Sequence, residues 1–226
     1  GCPVFSSAAV LAYNGPTVED IIRGGKVVGF VFVQEYRSKG WPAPCNYNYQ
    51  TRHEFYDDGG FRLNVVSLGR GCGNDGTYRP VTRLRLTGAS RISEWSNGAW
   101  KAWTTEGWSK QKPAAEISPE GYQYRIDTGA STGFYLLNNS GQYGDGGRGD
   151  NALLYVTRYA ADRDEGDSDL ITIGPCCNTD YHQGPEKFIE PNPEPLAGGE
   201  IVLWYVAQVK NDDTPGKQYC WADSIL

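Results

Sequence analysis

The chain has 226 residues, a length that suits one large domain with a substantial buried core. Its formal net charge is −6 and no run of Lys or Arg forms a basic stripe, which argues against nucleic acid and anionic membranes as partners. No apolar stretch approaches the roughly 20 residues that span a bilayer, so we expect no membrane insertion. We find no composition shift along the chain and therefore predict a single domain over residues 1–226.

Short β-rich segments, punctuated by 29 glycines and 13 prolines, predict an all-β protein built as a sandwich or barrel. One short helix is expected over Thr17–Arg23, because Thr17 is a capping residue and Glu19 would lie in the first turn. The predicted strands are Lys26–Tyr36, Asn46–Tyr56, Phe61–Leu68, Pro80–Leu86, Tyr122–Ile126, Gly133–Leu137, Ala152–Tyr159 and Glu200–Val206. Asp57–Gly60 lies between two of these strands and predicts a tight hairpin turn.

The 6 cysteines are many for a cytosolic domain of this size, and their even number favours disulfide pairing in an oxidising compartment. Cys176 and Cys177 are adjacent, and adjacent cysteines rarely bridge each other, so we expect each to pair with a distant partner. The available partners, among which the pairing stays open, are Cys2, Cys45, Cys72 and Cys220. Asn138 begins an N-glycosylation acceptor, Asn-Asn-Ser. The sequence therefore predicts a secreted, extracellular, disulfide-bonded glycoprotein.

Residue types that could support chemistry are few. The chain has 2 histidines, His53 and His182, and neither lies in a recognisable Ser/His/Asp or Cys/His arrangement. We interpret both as structural or solvated side chains. The acidic segment 162–169 could ligate Ca²⁺, but it lacks the glycine and the terminal glutamate of an EF-hand loop. A solvated loop is the preferred interpretation of that segment.

Tryptophans follow one another closely in the middle of the chain, at Trp95, Trp100, Trp103 and Trp108. Exposed aromatic faces on a β surface can stack sugars or anchor a protein contact. We predict Trp95, Trp100 and Trp108 as binding residues.

Several motifs occur in a fixed order along the chain. They are Asn46-Tyr47-Asn48-Tyr49 followed by His53–Gly59, Trp103–Glu106 followed by Gly121–Ile126, and the strands Leu154–Tyr159 and Glu200–Tyr205. Together these motifs resemble the C-terminal catalytic domain of the copper amine oxidases, whose strands include WVTRY and DIVLWYT sequences. The resemblance extends from about Val27 to Val206. It implies a large antiparallel β-sandwich, a scaffold role for Trp103, and self-association, because members of that family form dimers through this domain.

The same resemblance assigns positions to the family's catalytic machinery. In that family a copper ion held by three histidines converts a tyrosine to topaquinone, and an upstream aspartate abstracts the substrate proton. The quinone tyrosine would be Tyr47, and the copper ligands would be Tyr78, Pro80 and Asn211. None of those three residues is a histidine, and the segment before Tyr47 is too short to carry the aspartate. We therefore expect no metal, no cofactor and no amine oxidation.

These observations predict a secreted, non-catalytic binding or self-assembling structural module on a degenerate copper amine oxidase scaffold. The expected partner is another protein or a second copy of the chain. Two alternatives stay open. One is a copper/topaquinone amine oxidase fragment or subunit whose missing ligands come from elsewhere. The other is a carbohydrate-binding lectin that binds a glycan through Trp95, Trp100 and Trp108.

Overall fold

The computed structural model describes residues 10–43, 46–70, 77–78, 80–88, 90–110, 115–129, 131–136, 152–162, 189, 192–207, 209–210 and 220–225. The strands of this part of the chain pair antiparallel throughout, which confirms the all-β prediction. A helix long and apolar enough to cross a membrane is not found among the described residues.

The described strands, in chain order, are β1 (Val10–Arg23), β2 (Lys26–Ser38), β3 (Tyr47–Tyr56), β4 (Phe61–Arg70), β5 (Thr77–Tyr78), β6 (Val81–Leu86), β7 (Arg91–Ser96), β8 (Ala99–Ala102), β9 (Gly107–Lys110), β10 (Tyr124–Asp127), β11 (Gly133–Leu136), β12 (Leu153–Arg158), β13 (Ile201–Val206), β14 (Val209–Lys210) and β15 (Cys220–Ile225). They form one five-stranded sheet, two four-stranded sheets and a two-stranded ribbon. The strand orders are β1-β2-β3-β4-β15, β11-β10-β7-β8, β6-β13-β12-β9 and β14-β5.

The two four-stranded sheets pack face to face in a sandwich-like arrangement. Ile92, Tyr124 and Ile126 of one sheet meet Leu154 and Leu203 of the other in a buried cluster, which we call the inner core. Burial of these side chains removes a large apolar area from water and is the main stabilising contribution in this part of the molecule.

Strand β13 lies at the centre of this arrangement and is buried on both faces. Its alternate residues Val202, Trp204 and Val206 point away from the inner core and pack with Tyr155 and Ile189 in a second buried cluster. The indole N–H of Trp204 is also satisfied, because it donates to the hydroxyl of Thr157 at 2.9 Å. A strand covered on both faces needs the continuous apolar sequence that Ile201–Val206 has.

The five-stranded sheet contacts the sandwich through β4. Phe61 and Leu63 pack against the inner core, and the Phe61 ring meets Phe134 edge to face at a centroid distance of 5.5 Å. The opposite edge of this sheet is β1, whose neighbour is β2 alone among the described strands. Within the part of the chain that the structure describes, the sheet is therefore anchored at one side and open at the other.

The helix prediction over Thr17–Arg23 is wrong, because this segment is the second half of β1. Gly24 and Gly25 both adopt left-handed φ angles, 57° and 78°, so they form a two-residue turn that folds β1 back on β2. The β-branched residues around Ile21 then pair with β2 over a long register. This pairing outweighs the local capping signal at Thr17.

Each of the eight predicted strands is confirmed, with bounds that differ by at most a few residues. The predicted hairpin turn is confirmed as well, since the Tyr56 N–H donates to the carbonyl of Gly60 at 2.9 Å. The Gly60 N–H in turn donates to the Asp58 carboxylate at 2.8 Å. The remaining strands were not predicted from the sequence; they are β1, β5, β7, β8, β9, β14 and β15.

Candidate binding surface

The position assigned to the quinone tyrosine is occupied by an ordinary, half-buried aromatic residue. Tyr47 begins β3, and its ring stacks on that of Tyr49 at a centroid distance of 5.7 Å. Its N–H donates to the hydroxyl of Ser38 at 2.7 Å. The Asn46 amide belongs to the same connection, because it accepts from Ser38 and donates to the carbonyl of Ala43 at 3.0 Å. The motif therefore has hydrogen-bonding partners that fix the chain between β2 and β3.

The segments assigned to the copper ligands come close together in the backbone. Strand β5 pairs with β14, with Tyr78 opposite Val209. Pro80 directly precedes β6, whereas Asn211 lies outside the described residues. No group of three His, Cys, Asp or Glu side chains that could hold a metal ion occurs in the described ranges.

His53 packs as an aromatic side chain in the middle of β3. Its ring stacks on Phe32 at a centroid distance of 6.3 Å, and burial lowers the pKa of His53 below its ordinary value. The neutral imidazole is therefore favoured in this environment. Other predicted sites lie outside the described residues: His182, Asn138, most of the acidic segment, and Cys2, Cys45, Cys72, Cys176 and Cys177. The disulfide and glycosylation assignments thus stay predictions.

Trp95 and Trp100 lie opposite each other on β7 and β8, on the face turned away from the inner core. Their rings meet edge to face at 5.3 Å, and Trp100 also contacts Tyr135 at 5.8 Å. The Arg125 guanidinium lies over the Trp100 ring, 5.3 Å from its centroid. Both indoles are half-buried because they pack on one another and on these neighbours. A sugar stacks best on an open ring face, and this cluster uses much of its ring surface internally.

Trp108 belongs to a different surface. It lies on β9 opposite Tyr155, which faces away from the inner core on the other sheet of the sandwich. The two rings are 6.0 Å apart, and Trp108 is 47% exposed. The structure therefore does not bring Trp95, Trp100 and Trp108 onto one surface, as a shared binding role would need.

The segment around Trp103 joins several parts of the sandwich. The Trp103 ring packs against the inner core and meets Tyr124 edge to face at 6.5 Å. Glu106 is only 3% exposed, and its carboxylate accepts the N–H groups of Arg158 at 2.7 Å and Glu194 at 3.0 Å. These contacts agree with a scaffold role, because they connect β12 to the chain segment that precedes β13.

A cleft of about 810 Å³ opens at one end of the sandwich beside Trp103. Most of its lining is apolar, and two of its polar side chains already have partners. The hydroxyl of Ser90 donates to the Thr87 carbonyl at 3.1 Å, and Glu200 forms an ion pair with Arg85 at 2.7 Å. The cleft does not assemble an acid, a base and a nucleophile from its lining residues.

Strand β1 has exposed apolar side chains that no sequence motif indicated. Every residue of β1 from Leu11 to Asp20 is exposed, including Val18 at 65%, and Ile22 further along is 63% exposed. Strand pairing places Val18 and Ile22 on the same face as the exposed Val27, Phe30 and Phe55 of β2 and β3. We call these five residues the apolar surface. Exposed apolar patches on soluble domains commonly mark sites of interaction.

The outer edge of β1 is divided into two halves. Pro16, which has no backbone N–H, lies in an irregular stretch between Tyr13 and Thr17 where the register with β2 shifts. From Thr17 to Arg23 the strand contains no proline. That second half carries the exposed Val18 and Ile22 and could have been recognised from the Gly24-Gly25 turn that follows a β-branched run.

Comparison of the chain with protein-family models, with characterised proteins and with solved structures finds no match.

Proposed function

We propose that this chain is a secreted, non-catalytic module that self-associates through the open edge of its five-stranded sheet, on a degenerate copper amine oxidase scaffold. The observation that carries the proposal is the exposure of β1, a 14-residue edge strand with apolar side chains in water. An open edge offers a row of unpaired N–H and C=O groups, and a long apolar edge readily pairs with another chain. Pairing along Glu19–Arg23 would satisfy these groups and bring a second strand beside Ile22.

A second copy of the chain is the partner that fits this edge. If two copies of Glu19–Arg23 pair antiparallel about Ile21, Glu19 of each copy lies opposite Arg23 of the other. The contact is then self-complementary, as a two-fold interface requires, and contains two equivalent ion pairs. It would also join two five-stranded sheets into one continuous sheet.

The scaffold assignment is supported by the order of the amine-oxidase-like motifs and by their structural contexts. Tyr47 begins a strand, Glu106 ties β12 to the segment before β13, and the strand Ile201–Val206 lies at the centre of the sandwich. The non-catalytic assignment is supported by the residues at the ligand positions, where Tyr78, Pro80 and Asn211 replace imidazoles. Cu(II) in such sites prefers nitrogen ligands, which these residues do not provide.

A charge exchange across the proposed two-fold contact tests self-association. Sedimentation velocity of the wild-type chain should give a concentration-dependent dimer or larger species. Glu19→Arg should weaken association, because it places an arginine opposite Arg23 of the other copy at both ends of the contact. Adding Arg23→Glu in the same chain should restore association, because opposite charges then face each other again. Trp108→Lys, a change to another exposed side chain, serves as the control and should leave association unchanged. A strict monomer at about 100 μM wild-type protein, well above the micromolar range of specific contacts, would contradict the proposal.

A further inference from the structure

A small polar pocket lies beside the inner core, away from β1. Its volume is about 270 Å³, and its walls include Glu94, Trp95, Ser109, Lys110, Glu116 and Gln123. It falls just below the range of pockets that hold drug-sized ligands. The size therefore suits a compact ligand such as a single six-membered ring with its substituents.

Gln123 organises the polar wall of this pocket. Its side-chain N–H₂ donates to the carboxylate of Glu94 at 3.0 Å and to the hydroxyl of Tyr124 at 2.9 Å. The Tyr124 O–H then donates to the hydroxyl of Ser109 at 2.7 Å. Burial raises the pKa of Tyr124, which keeps its proton in place as a donor.

The direction of these hydrogen bonds determines which donors and acceptors the pocket presents to a ligand. Because the Ser109 hydroxyl accepts from Tyr124, its own proton is free to be donated elsewhere. Gln123 is only 3% exposed, yet its side-chain oxygen has no hydrogen-bond partner in the described part of the chain. A buried acceptor without a partner is costly, and a ligand that donates to it would recover that cost.

Donors and acceptors therefore occur side by side. The Ser109 hydroxyl can donate, whereas Gln123, Glu94 and Glu116 present oxygens that accept. One Glu116 oxygen already accepts the N–H of Asn97 at 2.6 Å, which fixes this carboxylate at the pocket wall. A hydroxyl group can both donate and accept, so a ring with several hydroxyls matches this mixed lining better than an apolar ligand.

We propose that this pocket binds one hexopyranose ring, with sugar hydroxyls donating to the side-chain oxygens of Gln123 and Glu94 and accepting from Ser109. The site is independent of the proposed self-association, because none of its residues lies on β1. It also differs from a sugar site on exposed indole faces, since the polar wall of the pocket rather than an open tryptophan ring supplies the recognition.

Binding is tested by ¹H–¹⁵N NMR titration of the full chain with D-glucose, D-galactose and D-mannose separately. A ring of this size is expected to bind with a Kd of about 1 mM. The largest shifts should belong to the Gln123 side-chain amide and to the backbone of β9 next to Ser109. Ser109→Ala and Glu94→Gln, which retain most of the side-chain volume, should each weaken binding about fivefold or more.

Trp108→Ala is the matched control, because Trp108 precedes Ser109 on the same strand and points to the opposite face. It should leave the sugar Kd unchanged, and thermal unfolding should verify that all three variants are folded. No shift with any of the sugars at about 50 mM, well above the expected Kd, would overturn the proposal. It is also overturned if only Trp108→Ala reduces binding, or if methylammonium chloride shifts these signals and the sugars do not.

Discussion

Strands β13 and β1 are both rich in apolar residues, yet their environments are opposite. Every residue of β13 is buried, whereas β1 is exposed on both faces along most of its length. β13 has strand neighbours on both edges, β6 and β12, and a buried cluster against each face. β1 has a strand neighbour on one edge only among the described strands.

This difference separates residues that stabilise the fold from residues that are free to bind. Apolar side chains on β13 are removed from water within the chain, so their free energy contributes to folding. The side chains of Val18 and Ile22 on β1 remain largely in water, and their burial is available to an association.

Trp204→Ala should destabilise the chain most. The side chain is completely buried at the centre of β13, and its removal leaves a large cavity and an unpaired Thr157 hydroxyl. We expect the free energy of unfolding to fall by about 3–5 kcal/mol, measured by urea denaturation. A loss below about 1 kcal/mol would show that β13 is not the tightly packed centre described above.

Glu106→Gln should have an intermediate effect. Both oxygens of the buried carboxylate accept backbone N–H groups, and the substitution directs an amide N–H₂ at one of these donors. We expect a loss of about 1–3 kcal/mol in the free energy of unfolding. Glu19→Gln on the exposed β1, measured at a protein concentration where the chain is monomeric, is the control and should change it by less than about 0.5 kcal/mol.

His53 should make stability depend on pH in a defined direction. Burial lowers the pKa of His53 in the folded state, so the unfolded chain binds this proton more readily. The contribution of neutral His53 to the free energy of unfolding is complete above the ordinary histidine pKa of about 6.5. It is lost as the pH falls towards the lower pKa of His53 in the folded state. His53→Phe keeps a ring against Phe32 and should flatten this part of the pH profile. If the free energy of unfolding falls equally in the wild type and in His53→Phe below neutral pH, groups other than His53 cause the pH dependence.

Val18→Thr and Ile22→Thr should have the smallest effects on folding. Both side chains are exposed, and threonine retains the β-branched shape that suits a strand. Each change should alter the free energy of unfolding by less than about 0.5 kcal/mol, while the two together weaken self-association. Destabilisation of the monomer by more than about 1 kcal/mol would mean that β1 contributes to the fold.

The sequence predicts the strands whose apolar pattern is local. Ile201–Val206 is a continuous apolar run, and Asp57–Gly60 is a turn between two alternating segments, so both are recognisable without tertiary information. β1 was not predicted correctly because Thr17 and Glu19 are also good signals for the start of a helix. The decision between helix and strand depends on pairing with β2, which is a tertiary contact.

The candidate sites are harder to predict than the strands, because they depend on which residues pair across strands and on which face of a sheet each side chain lies. Trp95 and Trp108 are close in sequence, but they belong to different sheets and point to opposite outer faces. The pocket around Gln123 depends on Tyr124 lying opposite Glu94 and on the approach of Ser109 from another sheet. No local pattern specifies those pairings. The tryptophans could therefore be recognised as candidate binding residues from the sequence, whereas the pocket could not.

Amide hydrogen exchange at several protein concentrations tests whether the β1 edge forms the contact, because it measures β1 and β13 in one experiment. We expect the amides of Glu19–Arg23 to become more protected as the concentration rises, since pairing with a second copy occupies the open edge. The amides of Ile201–Val206 should be strongly protected at every concentration. Exchange along β1 that does not change with concentration, in a sample that nevertheless associates, would place the contact elsewhere and contradict the proposed role of the edge.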